Sequence, residues 1–180
     1  MTEQWLLLSA LLLPFAAAFG IALCGRWPNL REAITLGSAA ALSLVLIAIY
    51  RRLSDGATLS LQLAEPIPGL SFSFEVEPLG MLFALVAGVL WLVTSVYSIG
   101  YMRGHHEKNQ TRFYALFAIA IGCAMGAAFA GNLFTLFLWY EILTVSTYPL
   151  VAHAGTPEAR RGARTYVGIL LGTSIGLQLM

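Results

Sequence analysis

The sequence predicts an all-α membrane protein that crosses the bilayer several times and carries one short β-hairpin outside it. Hydrophobic residues make up 58% of the 180 residues and charged residues only 11%, against about 25% charged in soluble domains. All ten Lys and Arg fall into four clusters, and the apolar stretches between them are long enough to span a bilayer, which takes about 20 residues. The net charge of +1 gives no support to nucleic-acid binding, which calls for a clustered basic face.

Five apolar stretches and the start of a sixth follow one another along the chain. Spans are predicted at about 4–24, 33–50, 79–102, 112–130 and 133–152, with a sixth beginning near Thr165. A single helix from 112 to 152 would be about twice the bilayer thickness, so a tight turn is predicted at Gly131 and Asn132. From Thr165 to Met180 a helix would reach only about 24 Å. We therefore expect the chain to end within its sixth helix.

The distribution of basic residues predicts how the helices are oriented. The first span has no basic residue before it and is longer than the 7 to 15 apolar residues of a signal peptide, so it is expected to be retained. If the N-terminus lies outside, eight of the ten Lys and Arg fall in cytoplasmic loops and only Arg51 and Arg52 lie outside. The positive-inside rule therefore predicts an extracytoplasmic N-terminus.

The long connection at about 53–78 lies on the outer side in this topology. Apolar and polar residues alternate on both sides of residues 65–69, a pattern that predicts two strands joined as a hairpin. The apolar members are Leu59, Leu61 and Leu63 before the turn, and Leu70, Phe72, Phe74 and Val76 after it. Because an isolated hairpin is only marginally stable in water, we expect it to pack on helix ends or on a neighbouring subunit.

Small residues at intervals of four predict where helices touch. Such faces let two backbones approach closely inside a membrane, and packing within one bundle is favoured over dimerisation. They are Ala118, Gly122, Gly126 and Ala130 in the fourth span, and Gly168, Gly172 and Gly176 in the sixth.

Glu141 is the residue that predicts chemistry, because the other eight acidic residues lie in loops or at helix ends. It lies about 13 Å into the fifth span, counted from Asn132, where an acidic group costs about 2.5 to 3.5 kcal/mol to insert. Thr144 and Tyr148 follow on the same helical face, and Pro149 leaves the carbonyl of residue 145 free. A proton-relay carboxylate lined by these hydroxyls is the favoured interpretation. The alternative is a structural glutamate, either protonated or paired with a basic residue on another helix.

No pattern in the sequence predicts a metal or cofactor site. His105 and His106 are adjacent and His153 is alone, too few for a histidine-rich metal centre. Cys24 and Cys123 lack metal-ligand or disulfide spacing and are interpreted as small core residues. Since no catalytic constellation is present either, a membrane enzyme in its own right is not predicted.

Several motifs together resemble one family of membrane proteins. They are the 77–79 segment Glu-Pro-Leu, Tyr97 to Met102, Gly131 to Phe134, Trp139 to Glu141, Ser146 to Tyr148, and Arg160 to Tyr166 before a glycine-rich helix. These motifs look like those of the antiporter-like subunits of Mrp-type Na⁺/H⁺ antiporters, respiratory complex I and membrane-bound hydrogenases. The resemblance covers essentially the whole chain and is greatest to the D-type subunit of the Mrp-type antiporters. Glu77 stands where the family usually has aspartate.

The resemblance implies both a fold and a function. The fold is a bundle of about 14 helices with two inverted repeats, in which 1–111 supplies three helices with the hairpin and 112–180 begins the proton-translocating repeat. Glu141 matches the family's fifth-helix glutamate, whose lysine partner on the seventh helix would follow Met180.

The implied function is a proton-translocating subunit, not an enzyme, of a multisubunit Na⁺/H⁺ antiporter in the bacterial cytoplasmic (inner) membrane. Its partners would be other membrane subunits, protons and Na⁺, without any cofactor. Two alternatives remain open. One is a pumping subunit of an NADH-quinone oxidoreductase, where it would be part of a translocase, or of a membrane-bound hydrogenase. The other is a structural or assembly subunit that carries no ions.

Overall fold

Six α-helices and a two-stranded sheet form the computed structural model, which describes residues 3–67 and 69–178. In chain order the elements are α1 (Glu3–Leu23), α2 (Pro28–Ser54), β1 (Ser60–Ile67), β2 (Leu70–Glu75), α3 (Pro78–Gly104), α4 (Gln110–Ala128), α5 (Leu133–Val151) and α6 (Pro157–Gln178). Helices α1 to α5 are each long and apolar enough to cross a membrane. The predicted all-α polytopic fold with a hairpin between the second and third helices is confirmed. Pro68 of the predicted turn and the chain end at Met180 lie outside the described residues.

Prolines set the starts of three helices. Helices α2, α3 and α6 begin at Pro28, Pro78 and Pro157, because proline tolerates the first helical position, where its missing N–H needs no partner. Helix α6 therefore starts eight residues before the apolar span predicted from Thr165. The Oγ1 of Thr156 accepts a hydrogen bond of 3.1 Å from the backbone N of Ala159 and caps this start. Over its described residues α6 is not apolar enough to count as a sixth span.

The core forms where α1, α2, α3 and α4 pack together. Helix α1 packs on α2 and α4, α3 lies against both α2 and α4, α5 packs on α4, and α6 packs on α5. The largest fully buried side chains of these four helices include Leu7, Ile21, Leu42, Leu46, Ile49, Trp91 and Tyr114. Helix α5 lies at the edge of this core, since among its residues only Thr135 and Thr144 are fully buried.

The small-residue face of α4 is confirmed as a contact surface. A Cβ atom at Gly122 would lie 2.7 Å from the ring of Phe15 in α1, and one at Gly126 would overlap the indole of Trp139 in α5. For Gly168, Gly172 and Gly176 of α6, no other described residue lies within 4 Å of such a Cβ. The contact expected for the α6 face is therefore not made within the described residues.

Gly126→Ala is expected to destabilise the protein, because the new methyl group overlaps the indole of Trp139. That indole is held in place by Phe15, Phe72 and Phe74, whose ring centroids lie 5.8 to 6.4 Å away. Overpacking of this kind costs about 1 to 3 kcal/mol, which a lower thermal unfolding midpoint of the purified full-length protein would report.

Gly37→Ala is the matched control, because no described residue approaches a Cβ at that site in α2. It should be neutral or slightly stabilising, since alanine favours helix. Equal midpoints for the two variants would contradict the close contact at Gly126.

The hairpin has the predicted two strands, with two irregularities in register, one between residues 62 and 64 and one between residues 64 and 67. Strands β1 and β2 pair antiparallel, with Leu61 opposite Phe74 and Ala64 opposite Phe72. The register shifts between residues 62 and 64, and such a shift turns the following side chains to the other face. Leu63 is consequently 52% exposed, whereas Leu59 and Phe74 are fully buried.

The hairpin also packs on helix ends, one of the two expected possibilities. The connection between α4 and α5 is a short turn, as predicted at Gly131 and Asn132, and β2 lies directly against it. The backbone N of Glu75 donates to the carbonyl O of Phe129 (2.8 Å), and the N of Gly131 donates to the O of Ser73 (2.9 Å). These hydrogen bonds fix the start of α5 against the sheet.

Candidate functional site

The side chain of Asn132 sets the beginning of the helix that carries Glu141. Its Oδ1 accepts from the backbone N of Thr135 at 2.8 Å and caps α5. Its Nδ2 donates to the backbone O of Ser71 at 2.6 Å and to the Oγ of Ser73 at 2.9 Å. One amide thus joins helix and hairpin, and a cap of this kind contributes about 1 kcal/mol.

Glu141 lies half-buried between α5 and α6. Its Oε1 accepts a hydrogen bond from the Oγ of Ser174, a serine of α6 that is 6% exposed. Another side of Glu141 faces a surface pocket of about 350 Å³, which is also lined by Ile142, Val145 and Ser146. The carboxyl group is therefore held by one buried donor, and the residue also contributes to the largely apolar lining of this pocket.

The predicted lining residues Thr144 and Tyr148 lie on α5 but are not brought into hydrogen bonding with Glu141 in the part of the chain described. Thr144 is buried at 3% exposure and Tyr148 is half-buried. The Oγ1 of Thr147 donates to the carbonyl O of Thr144 at 2.9 Å. Helix α5 continues through Pro149 to Val151. The role of Thr144 and Tyr148 as polar lining stays a prediction.

Ser174 is the site residue that sequence reasoning missed. It lies between Gly172 and Gly176, in a glycine-rich stretch whose spacing predicted a packing face. The sequence feature that could have pointed to Ser174 is a serine within an apolar helix, where a hydroxyl is a common interhelical hydrogen-bond donor. Nothing in the local pattern connects it with a carboxylate 33 residues earlier.

A second polar group, which the sequence did not predict, is buried where α2, α3 and α4 meet. Glu32 is one of the eight acids expected in loops or at helix ends, yet it lies in the second turn of α2 and is only 5% exposed. Its Oε1 lies 3.1 Å from the Nη2 of Arg31, and its Oε2 lies 2.6 Å from the Nη2 of Arg103 in α3. Both ion pairs found in residues 3–67 and 69–178 thus involve Glu32, and neither involves Glu141.

The buried Arg31 connects this group to α4. Its Nη1 donates to the Oγ1 of Thr111 at 3.1 Å, and its Nη2 donates to the Oε1 of Gln110 at 2.9 Å. The guanidinium carbon lies 5.1 Å from the ring centroid of Tyr114, a cation–π distance. The arrangement is that of a structural clamp, because each charge is occupied by partners on neighbouring helices.

Comparison with known proteins agrees with the resemblance seen in the sequence. Residues 68–114 match the family model of the NADH-ubiquinone oxidoreductase (complex I) chain 5 N-terminus. The chain is 28% identical over 188 residues to the D-type subunit of a probable K⁺/H⁺ antiporter of Rhizobium meliloti, covering 97% of this chain and 34% of that protein. It is 34% identical over 169 residues to NAD(P)H-quinone oxidoreductase chain 4 1 of Synechococcus sp., covering 89% and 30%. The chain is therefore similar to antiporter-like subunits of membrane complexes.

The fold of this chain has a solved counterpart. It matches a chain of the membrane-bound sulfane sulfur reductase, an archaeal respiratory membrane complex, with a TM-score of 0.75 and 21% identity. The match covers 89% of this chain and 33% of the reductase chain. The chain spans about a third of the length of the two curated relatives above. It is a multi-pass membrane protein.

Proposed function

We propose that this antiporter-like subunit translocates protons within a multisubunit monovalent cation/proton antiporter, with Na⁺ as the cation and Glu141 as the mid-membrane relay. The observation that carries the proposal is the carboxyl group of Glu141, half-buried midway along α5 and bonded to Ser174. Both residues lie in 112–180, which we assign to the start of the translocating repeat. Residues 1–111 then supply the three preceding helices and the outer hairpin.

The chemistry of a carboxyl group at this depth supports a relay. Intramembrane acids are costly to insert and are usually functional. Burial disfavours the ionised form, whereas a hydrogen-bond donor or a nearby cation favours it. A group under both influences changes its charge when the cation moves away. A lysine that follows Met180, as the family resemblance implies, would be that cation.

The relatives support two candidate complexes, an antiporter and a quinone oxidoreductase. The antiporter protein from Rhizobium meliloti aligns with 97% of this chain, which supports the first candidate. The greater identity of the Synechococcus quinone oxidoreductase chain, 34% over 169 residues, supports the second. In that case the protein would pump protons within an NADH-quinone oxidoreductase, as part of a translocase.

Everted vesicles from an antiporter-deficient bacterium that expresses the complete complex would test the proposal. Respiration acidifies the vesicle interior, and a pH-sensitive dye reports the gradient. Added NaCl should collapse the gradient, whereas choline chloride should not. Omitting this subunit should abolish the Na⁺ response. A gradient that neither Na⁺ nor K⁺ disturbs, together with proton pumping driven by NADH through the complex, would replace the antiporter with the oxidoreductase.

We further propose that the N-terminus lies outside the bacterial cytoplasmic membrane. Eight of the ten basic residues then face the cytoplasm, in agreement with the positive-inside rule. The hydrogen bonds between the hairpin and the α4–α5 turn support a shared outer side for these two segments. Fusions after residues 28 and 107 should be active with a cytoplasmic reporter, and one after residue 56 with a periplasmic reporter. The inverse pattern would refute this orientation.

A further inference from the structure

The hydroxyl of Ser174 has two acceptors but only one hydrogen. Its Oγ contacts the Oε1 of Glu141 on α5, and it also lies 3.2 Å from the carbonyl O of Leu171, one turn back on its own helix. Because a serine hydroxyl carries one O–H and two lone pairs, it can donate to only one of these oxygens at a time. Ser174 is only 6% exposed, so these two protein oxygens compete for its hydrogen with little competition from solvent.

We propose that Ser174 is the positioning residue of Glu141 and holds its carboxyl group in both protonation states. When Glu141 is ionised, the hydroxyl donates to Oε1. When Glu141 is protonated, its own O–H donates to the Oγ of Ser174, and the serine turns its hydrogen to the carbonyl of Leu171. The proton that binds the carboxylate of Glu141 is the one that the relay carries, and the same proton leaves when Glu141 is ionised again. Ser174 keeps its own hydrogen throughout and only turns it between the Oε1 of Glu141 and the carbonyl O of Leu171. This inference rests on the proposed function of Glu141.

Among the described residues, Ser174 is the side chain that hydrogen-bonds to the carboxyl group of Glu141. The segment of α6 from 167 to 178 contains no titratable or charged residue. The other titratable side chains nearest to Glu141 in sequence, or on elements packed against α5, do not hydrogen-bond to it. On α5 these are Tyr140 and Tyr148, and on the elements packed against it they are Arg112, Tyr114 and Cys123 on α4, Glu158, Arg160, Arg161, Arg164 and Tyr166 on α6, and the exposed Glu75 on β2. Loss of the hydroxyl therefore removes the donor that favours the ionised carboxylate.

The test compares Ser174→Ala with Ser174→Thr in the complete complex. Hydrogen bonds to charged groups affect equilibria by one to two orders of magnitude. We therefore expect Ser174→Ala to slow cation-driven proton flux about 10-fold and to move the pH of half-maximal flux upward by about one unit. Ser174→Thr, which keeps a hydroxyl, should stay within about 2-fold of wild type, because the threonine restores the donor.

Thr173→Ala is the matched control on the same helix. Thr173 is exposed, and within the described residues its hydroxyl hydrogen-bonds only to the carbonyls of Ile169 and Leu170 on α6. The flux of this variant should therefore equal that of wild type. Unchanged flux and an unchanged pH midpoint in Ser174→Ala would overturn the proposal. Equal losses in Ser174→Ala and Ser174→Thr would also overturn it, since side-chain volume would then matter and the hydroxyl would not.

The outcome is distinguishable from failure of the proposed function. If Glu141→Gln transports normally, the relay itself is wrong. If Glu141→Gln loses transport while Ser174→Ala keeps it, the relay stands and only the positioning role of Ser174 is refuted.

Discussion

A complex that carries Glu141→Gln is expected to assemble at the wild-type level and to lose cation-driven proton flux. Glutamine keeps the volume of the side chain and an amide oxygen that can accept from the Oγ of Ser174, so the contact between α5 and α6 persists. Glutamine cannot ionise, however, and a side chain that cannot bind and release a proton cannot relay protons. Proton flux in vesicles, with subunit content measured by blotting, provides the comparison.

Two further variants serve as a conservative replacement and as a control for this result. Glu141→Asp keeps the carboxylate but shortens the side chain by one methylene, so partial flux is expected. Glu158→Gln neutralises an acid that lies exposed in the first turn of α6, and it should leave flux unchanged. Wild-type flux from a fully assembled Glu141→Gln complex would show that this carboxylate is structural, and a structural or assembly role for the subunit would then be favoured.

Glu32→Ala is expected to destabilise the protein strongly, because it leaves the guanidinium of Arg31 buried without a counter-charge. The side chains of Arg31 and Glu32 are almost fully buried, at 5% and 7% exposure. Breaking a buried pair costs about 3 to 5 kcal/mol, a large part of a total stability of about 5 to 15 kcal/mol. The thermal midpoint of the purified protein and its amount in the membrane should both fall.

Arg103→Ala, compared with Glu32→Ala, shows how much of the destabilisation comes from burial of the ion pair. It removes the other partner of Glu32, but the Arg103 side chain is 48% exposed, so its pair is screened by solvent and the loss should be smaller. The double variant Arg31→Met/Glu32→Leu should recover most of the stability, since apolar side chains can replace a buried ion pair at little cost. Equal midpoints for Glu32→Ala and wild type would refute the clamp.

Much of the fold could be predicted because it depends on local patterns. The length of each apolar stretch predicted the five membrane-crossing helices, and the alternation around residues 65–69 predicted the hairpin. The start of α6 was misplaced at Thr165 because the basic residues Arg160, Arg161 and Arg164 suggested a loop, whereas Pro157 already begins the helix. A charge in the first turns of a helix is compatible with helical backbone, so polarity alone did not mark this boundary.

The candidate site could be predicted only in part. The sequence by itself determined that Glu141 is an acid placed deep in an apolar helix, since depth follows from counting 1.5 Å per residue. Its hydrogen-bond donor could not be predicted, because Ser174 lies 33 residues away and contact depends on how α5 and α6 pack.

The buried group around Glu32, like the hydrogen bond of Glu141, depends on how the helices pack. The sequence determined that residues 31 and 32 carry opposite charges near a helix end, and such residues are ordinarily exposed. Only the tertiary structure decided that they are buried, because Arg103 and Gln110 come from elements more than 70 residues further along the chain. Apolar length and periodicity are properties of one segment and can be read from it. Pairing between side chains depends on the helix packing that brings distant segments together, and this decided which partners hold Glu32 and Glu141.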